Sequence, residues 1–225
     1  MGRIRGLLLD VDGTLCNTDD VHFEVYREML SALGFNGGLP ITRAYFDTEI
    51  SGGANELILQ RIVPEFSAEQ RVAFALEKET RWRRQVQGAL APIAGLHDFA
   101  HWADSERQLM RCAVTNAPRL NAEAILTGIA LLDWFTPANL VIGEECPRAK
   151  PFPDPYLIGA QRLGLEPHEC LVVEDSAAGL AAAVAARVGC IVGISTSISA
   201  EALRKHGAQH VIQDWSDATI FNLLS

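Results

Sequence analysis

CLVVEDSAAGLAAAVAARVGCIVGI, residues 170–194, contains a complete structural unit. An apolar run (CLVVEDS) ends in acids, an alanine-rich segment follows, and a second apolar run (CIVGI) closes the stretch. Short β-rich runs without polar alternation are buried on both faces, and a helix between two of them lets the strands lie parallel. The same rhythm continues on either side. RCAVTNA (111–117), LVIGEE (140–145) and HVIQD (210–214) read as further strands, with RLNAEAILTGIA, DPYLIGAQRLG and SAEALRKHG as intervening helices. IRGLLL (4–9) is another such strand, but residues 17–88 separate it from the rest. In that separation VHFEVYREMLSALGF, ITRAYFDTEI, ANELILQRIV and SAEQRVAFALEKETRWRRQV carry helical spacing. Ser67, with Gln70 three residues on, is a candidate capping box for the last of them. The fold class is therefore α/β: a Rossmann-like doubly wound parallel sheet core with an inserted all-helical cap. Residues 1–16 and 89–225 form the expected core, and 17–88 the cap.

Composition narrows the function. Hydrophobic residues make up 48% of the 225, enough for a sizeable core, and charged residues 21%. The net charge of −9 argues against a nucleic-acid binder, which presents a basic face. An acidic chain that handles an anion needs a local positive centre, either a metal or a few placed cations. The five cysteines include no CxxC pair and are odd in number, so they read as free thiols in a reducing compartment. LLL before Asp10 is too short for a secretion signal, and no window approaches a membrane span. The expectation is a cytoplasmic protein, a monomer or weak homo-oligomer, with no nucleic-acid or membrane partner.

Doubly wound sheets bind ligands beyond the carboxyl ends of their strands. Every polar signal falls at that edge. Asp10 and Asp12 end the first strand in DVDGTL (10–15), Thr115 and Asn116 end the second, and Glu174 and Asp175 end CLVVEDS. Lys150 follows LVIGEE in the loop RAKPFPDPY, and is one of three lysines among nineteen basic residues. Four carboxylates in one crevice repel, and a hard dication with oxygen ligands removes the conflict; beside phosphates Mg²⁺ is the usual choice. Carboxylates, a metal, an ammonium and a hydroxyl together suit phosphoryl transfer. Asp10 is then the nucleophile that forms an aspartyl-phosphate, and Asp12 the general acid for the leaving oxygen and afterwards the base for water. Gly13 permits the tight backbone between them.

Each motif also has a plainer reading. DxDGT alone is a turn, Glu174-Asp175 a pair of acids at a helix start, and Thr115-Asn116 a helix cap, a role compatible with binding an anion. Lys150 alone is a solvated lysine, and RWRR (81–84) a solvated helix face.

Taken in order, DxDGT, Thr-Asn after a strand, Lys-Pro and Glu-Asp after a strand resemble the haloacid dehalogenase superfamily. The likeness is strongest to its branch of small phosphatases and β-phosphoglucomutase, which carry a helical cap after the first motif. KPFPDPYLIGAQRLGL followed by CLVVEDSAAGLAAA is the most specific part. The resemblance implies Mg²⁺ held by the Asp10 carboxylate, the Asp12 backbone carbonyl and the Asp175 carboxylate, with Glu174 nearby. It implies that Thr115 and the Asn116 amide hold the phosphate, that Lys150 balances its charge, and that His22 faces the site. Where the mutases carry an arginine for a second phosphate, this chain has Asn55, in the loop after SGGA (51–54). That departure favours a hydrolase of a small phosphorylated metabolite, a monophosphate, over the alternative of a phosphosugar mutase. A true dehalogenase has no use for Asp12. A cap opening on hinges near 16–18 and 88–92 admits substrate and shields the intermediate. Phosphoglycolate, hexose phosphates and nucleoside phosphates all remain open as substrates.

Overall fold

The computed structural model describes residues 3–225. β1 (Gly6–Leu9) leads into α1 (Asp19–Ala32), α2 (Arg43–Glu49), α3 (Asn55–Ile62) and α4 (Ala68–Gln85), the helical insertion. α5 (Leu96–Ser105) brings the chain back to the sheet. There follow β2 (Met110–Thr115), α6 (Arg119–Gly128), α7 (Leu132–Phe135), β3 (Leu140–Ile142), α8 (Asp154–Arg162), β4 (Cys170–Glu174), α9 (Ala177–Ala186), β5 (Cys190–Ile194), α10 (Ala200–Lys205), β6 (His210–Ile212) and α11 (Ala218–Leu224).

The six strands are parallel in the order β3-β2-β1-β4-β5-β6. β1 lies between β2 and β4, with Leu8 level with both Cys112 and Val172. Strand order reverses at β1, and there the carboxyl ends leave a crevice. Leu9 pairs with Ala113 and Val173, so Asp10 emerges beside Glu174 and near Thr115. Strand alternation divides the interior into two cores. Leu7, Leu9, Ala113, Leu171 and Val173 face one; Leu8, Cys112, Val114, Cys170 and Val172 face the other. The first core runs on into the helical insertion through Val25, Tyr26 and Trp82, so the two parts share apolar packing.

α4 begins on the capping box of Ser67 and Gln70. Two departures from the sequence reading concern secondary structure. β3 stops at Ile142, and Gly143–Glu145 forms a 3-10 turn where the sequence reading carries a strand to 145. α5, α7 and α11 are helices beyond those the sequence assigns. Among the described residues, no helix is long and apolar enough to cross a membrane.

Candidate active site

The site forms where β1, β2 and β4 end beneath the helical insertion. A cavity of about 70 Å³ is lined by Asp10, Asp12, Thr115, Asn116 and Asp175 from the sheet side. His22, Asn55, Lys78 and Glu79 line it from the insertion. Lys150 and Glu174 lie behind this lining and are almost fully buried.

Lys150 organises the floor. Its ammonium donates to Asp10 Oδ1, Glu174 Oε1 and the Val114 carbonyl, each at 2.7 Å, so all three of its protons are used. Glu174 is saturated as well. Oε1 also accepts from the Tyr156 hydroxyl at 2.8 Å, and Oε2 accepts from Asp175 N, Ser176 N and Ser176 Oγ. Its charge belongs to the acidic cluster, but its oxygens are committed to protein donors. Asp10 keeps Oδ2 without a hydrogen-bond partner among the described residues. Burial pushes the Asp10 carboxyl up to about 7, against the pull of Lys150.

Asp175 receives Thr14 Oγ1 at 3.1 Å and Ser197 Oγ at 2.5 Å. Burial, then the charges of Asp10 and Glu174, drive its carboxyl well above the usual carboxylate range. Oxygens of Asp10, Glu174 and Asp175 lie within 4.8 Å of one another. Three buried carboxylates against one ammonium leave an excess of negative charge, and the donor set is all oxygen. That combination fits a hard divalent cation. The turn needs Gly13: its φ is +86°, and a Cβ there would stand 2.0 Å from Asp175 Oδ2.

Asp12 turns toward the insertion. Oδ1 accepts from Thr18 Oγ1 at 2.5 Å, and Oδ2 lies 2.7 Å from His22 Nε2. Burial opposes ionisation of Asp12, but the hydrogen bonds from His22 and Thr18, together with the charge of Lys78, outweigh it and hold the carboxyl below the usual range. Lys78 donates to His22 Nδ1 at 2.8 Å. An ammonium at Nδ1 makes that nitrogen the acceptor, so the ring proton sits on Nε2 and is donated to Asp12. Trp82 stacks on the imidazole, with ring centroids 4.9 Å apart, and fixes its plane.

Thr115 Oγ1 accepts from Ala117 N at 3.0 Å, which leaves its hydroxyl proton to donate. The Asn116 side chain is a bracket: Oδ1 accepts from Lys150 N, and Nδ2 donates to the carbonyls of Lys150 and Gly52, all at 3.1 Å. It ties the lysine loop to the insertion. Gly52 lies so close to Ser176 that a Cβ would meet its Cβ at 2.5 Å. Asn55 accepts from Tyr26 OH at 3.2 Å and donates to Glu79 Oε1 at 2.7 Å.

Several residues here were not reached by sequence reasoning. Asp19, buried at the first turn of α1, accepts from Ser51 Oγ at 3.2 Å and is raised by burial and by Asp12. Lys78 and Glu79 are buried neighbours on α4, joined at 2.9 Å. The core residue Asn121, fully buried on α6, donates to Glu79 Oε2 at 2.5 Å and accepts from Arg83 at 2.7 Å.

Comparison with known proteins agrees with this geometry. A model of the haloacid dehalogenase-like hydrolases matches residues 4–187. Fructose-1-phosphate phosphatase YqaB of Escherichia coli is 29% identical over 190 residues, covering 84% of this chain and 96% of its own. A phosphorylated carbohydrates phosphatase of Thermotoga maritima is 25% identical, covering 93% and 94%. The crystal structure of a family IA, variant 3 hydrolase from Entamoeba histolytica superposes with a TM-score of 0.85 at 23% identity, covering 98% of each chain. The chain is a member of the haloacid dehalogenase-like hydrolase family.

Proposed function

We propose that this enzyme is a Mg²⁺-dependent phosphomonoesterase acting on small phosphorylated sugars or similar monophosphates through an aspartyl-phosphate on Asp10. We assign residues 1–16 and 89–225 to a catalytic core and 17–88 to a cap over it. The observation that carries the reading is Asp10: one carboxylate oxygen held by a buried ammonium, the other without a partner at the cavity. The relatives named above as sugar-phosphate phosphatases support the substrate class.

The carboxylates of Asp10 and Asp175 and the Asp12 carbonyl are the ligands assigned to the ion, with Glu174 behind them. When bound, Mg²⁺ supplies charge neutralisation for the phosphoryl oxygens. Lys150 holds Asp10 in position and offsets its charge, while Thr115 donates its hydroxyl to the phosphate. Asp10 attacks phosphorus, and the ester P–O bond breaks as the leaving oxygen takes a proton from Asp12. The arriving phosphate dianion raises the proton affinity of Asp12, as like charges do, so that Asp12 takes up one proton from solvent before this step. Water then attacks phosphorus and passes a proton to the Asp12 carboxylate; the Asp10–phosphorus bond breaks and phosphate is released. His22 and Thr18 keep Asp12 aimed through both steps.

The test is a panel of phosphorylated sugars with the full chain, reading released phosphate in Mg²⁺ and in EDTA. Turnover in Mg²⁺ without any bisphosphate activator, lost in EDTA, is expected. Conversion of a sugar phosphate to its isomer without phosphate release would establish the mutase alternative instead.

A further inference from the structure

We propose that Glu79 makes this enzyme selective for phosphomonoesters with an uncharged, hydroxylated leaving group, rejecting those that carry a second phosphate or a carboxylate. The proposal rests on the phosphomonoesterase reading. The part of the cavity away from Asp10 is the chamber available to the leaving group. Phe46, Ile50 and Ile58 form an apolar wall, and Asn55, Lys78 and Glu79 a polar one.

The charges in that chamber decide what enters. The Glu79 carboxylate accepts from Lys78 Nζ and Asn55 Nδ2 on one oxygen and from Asn121 on the other. Burial disfavours its charge, but the charge of Lys78 and the hydrogen bonds from Asn55 and Lys78 win and lower the carboxyl to about 2. It is therefore an anion at any working pH. Lys78 is the nearest cation; two of its three protons go to His22 and to Glu79, and its charge is balanced by Glu79 itself. Four arginines of the insertion have carboxylate or amide partners of their own, Arg43 also coming within 3.7 Å of Asp19, which lines the cavity. Arg43 bonds Asp47, Arg71 bonds Glu56, Arg81 bonds Glu77 and Arg83 bonds Asn121. No arginine is among the residues that line the cavity.

A second anionic group would thus be desolvated beside a fixed carboxylate, where the one lining ammonium, Lys78, is already paired with that carboxylate. Like charges brought together in this way cost several kcal/mol. Hydroxyls face no such penalty. They donate to the remaining lone pair of Glu79 Oε2, and a sugar's C–H face packs on the Phe46 wall.

The experiment compares a neutral with an anionic leaving group in two pairs, with the full-length enzyme in Mg²⁺: glycerol 1-phosphate against phosphoglycolate, and fructose 1-phosphate against fructose 1,6-bisphosphate. kcat/KM is expected to favour the neutral member of each pair by on the order of a hundredfold. Glu79→Gln should narrow each ratio about tenfold or more, chiefly by lowering KM for the anionic member. If that variant does not fold, Asn55→Lys sets an ammonium beside the same carboxylate and should narrow the ratios likewise. Equal kcat/KM within the pairs, or ratios unmoved by a folded variant, overturn the proposal and leave the phosphatase reading standing. Failure to hydrolyse any ester, p-nitrophenyl phosphate included, overturns both.

Discussion

Replacing Lys150 with methionine should destabilise the protein far more than a lysine substitution ordinarily does. The ammonium makes three 2.7 Å hydrogen bonds, two of them to carboxylates, and its side chain is 1% exposed. Methionine fills much the same volume but leaves Asp10 and Glu174 buried without their counter-charge. Breaking a buried pair by removing one partner costs about 3–5 kcal/mol. For a chain of this size each kcal/mol moves Tm by roughly 2–4 °C, so the expected fall is roughly 6–20 °C. The loss should also depend on pH. Burial already raises Asp10 to about 7, and Lys150 is the main group opposing that rise. Without it the folded carboxyl holds its proton to still higher pH, and a raised carboxyl loses stability as pH climbs toward its folded value. The deficit should therefore be larger at pH 9 than at pH 6. Thermal unfolding of both proteins in EDTA at the two pH values is the assay. Adding Asp10→Asn to the variant should recover part of the loss, because it removes one uncompensated charge from a side chain whose one hydrogen-bond partner was Lys150. A Tm within about 3 °C of wild type at pH 9 would refute the idea that this ammonium holds the acidic floor together.

Asp10→Asn keeps a carbonyl oxygen for Lys150, so it should fold normally while phosphate release drops by roughly a thousandfold or more; near-normal turnover would rule Asp10 out as nucleophile. Glu79, lowered from 4.5 to about 2, contributes stability that is full above 4.5 and lost as pH falls toward 2. The shift corresponds to roughly 3 kcal/mol, and urea denaturation from pH 6 to pH 3 should show this slope in wild type and a flatter one in Glu79→Gln. Binding of Mg²⁺ should displace the proton that burial holds on Asp10, so affinity should rise with pH through about 7. Calorimetry in buffers of differing ionisation enthalpy reads that proton; heats independent of buffer would contradict it.

The sheet and the acidic edge were legible because parallel strands are buried on both faces and so appear as unbroken apolar runs. Leu7, Leu8 and Leu9 are fully buried, divided between the two cores, and the run ends where Asp10 emerges. α5 was harder to read. Leu96, Phe99, Ala100 and Ala103 carry helical spacing, but the helix starts at Gly95, which has no side chain to cap it and follows a proline-containing stretch. Lys78 and Glu79 gave no local signal at all. Adjacent charges in a helix as polar as α4 normally lie in solvent. Their burial depends on α4 lying against α6, where Asn121 supplies a donor from a segment more than forty residues on.

That long-range contact bears on how the two halves of the site act together. Asn121 and Asn116 are both core residues, and each bonds the insertion directly, one at Glu79 and the other at the Gly52 carbonyl. Asn116 also holds both backbone polar groups of Lys150, and Glu79 also holds Lys78, which faces His22 and through it Asp12. Two amides therefore connect Lys150, which holds Asp10, and His22, which holds Asp12, to the same packing of the insertion against the sheet. If the insertion swings away, both contacts break together. Asp10 retains its ammonium, which belongs wholly to the core, but Asp12 loses the ordered chain from α4 behind His22. Asp12, rather than Asp10, is thus the member of the pair whose environment depends on the insertion, and on the roles proposed above that is the residue that moves the proton. A change at the α4–α6 contact should consequently disturb proton transfer before it disturbs attack on phosphorus.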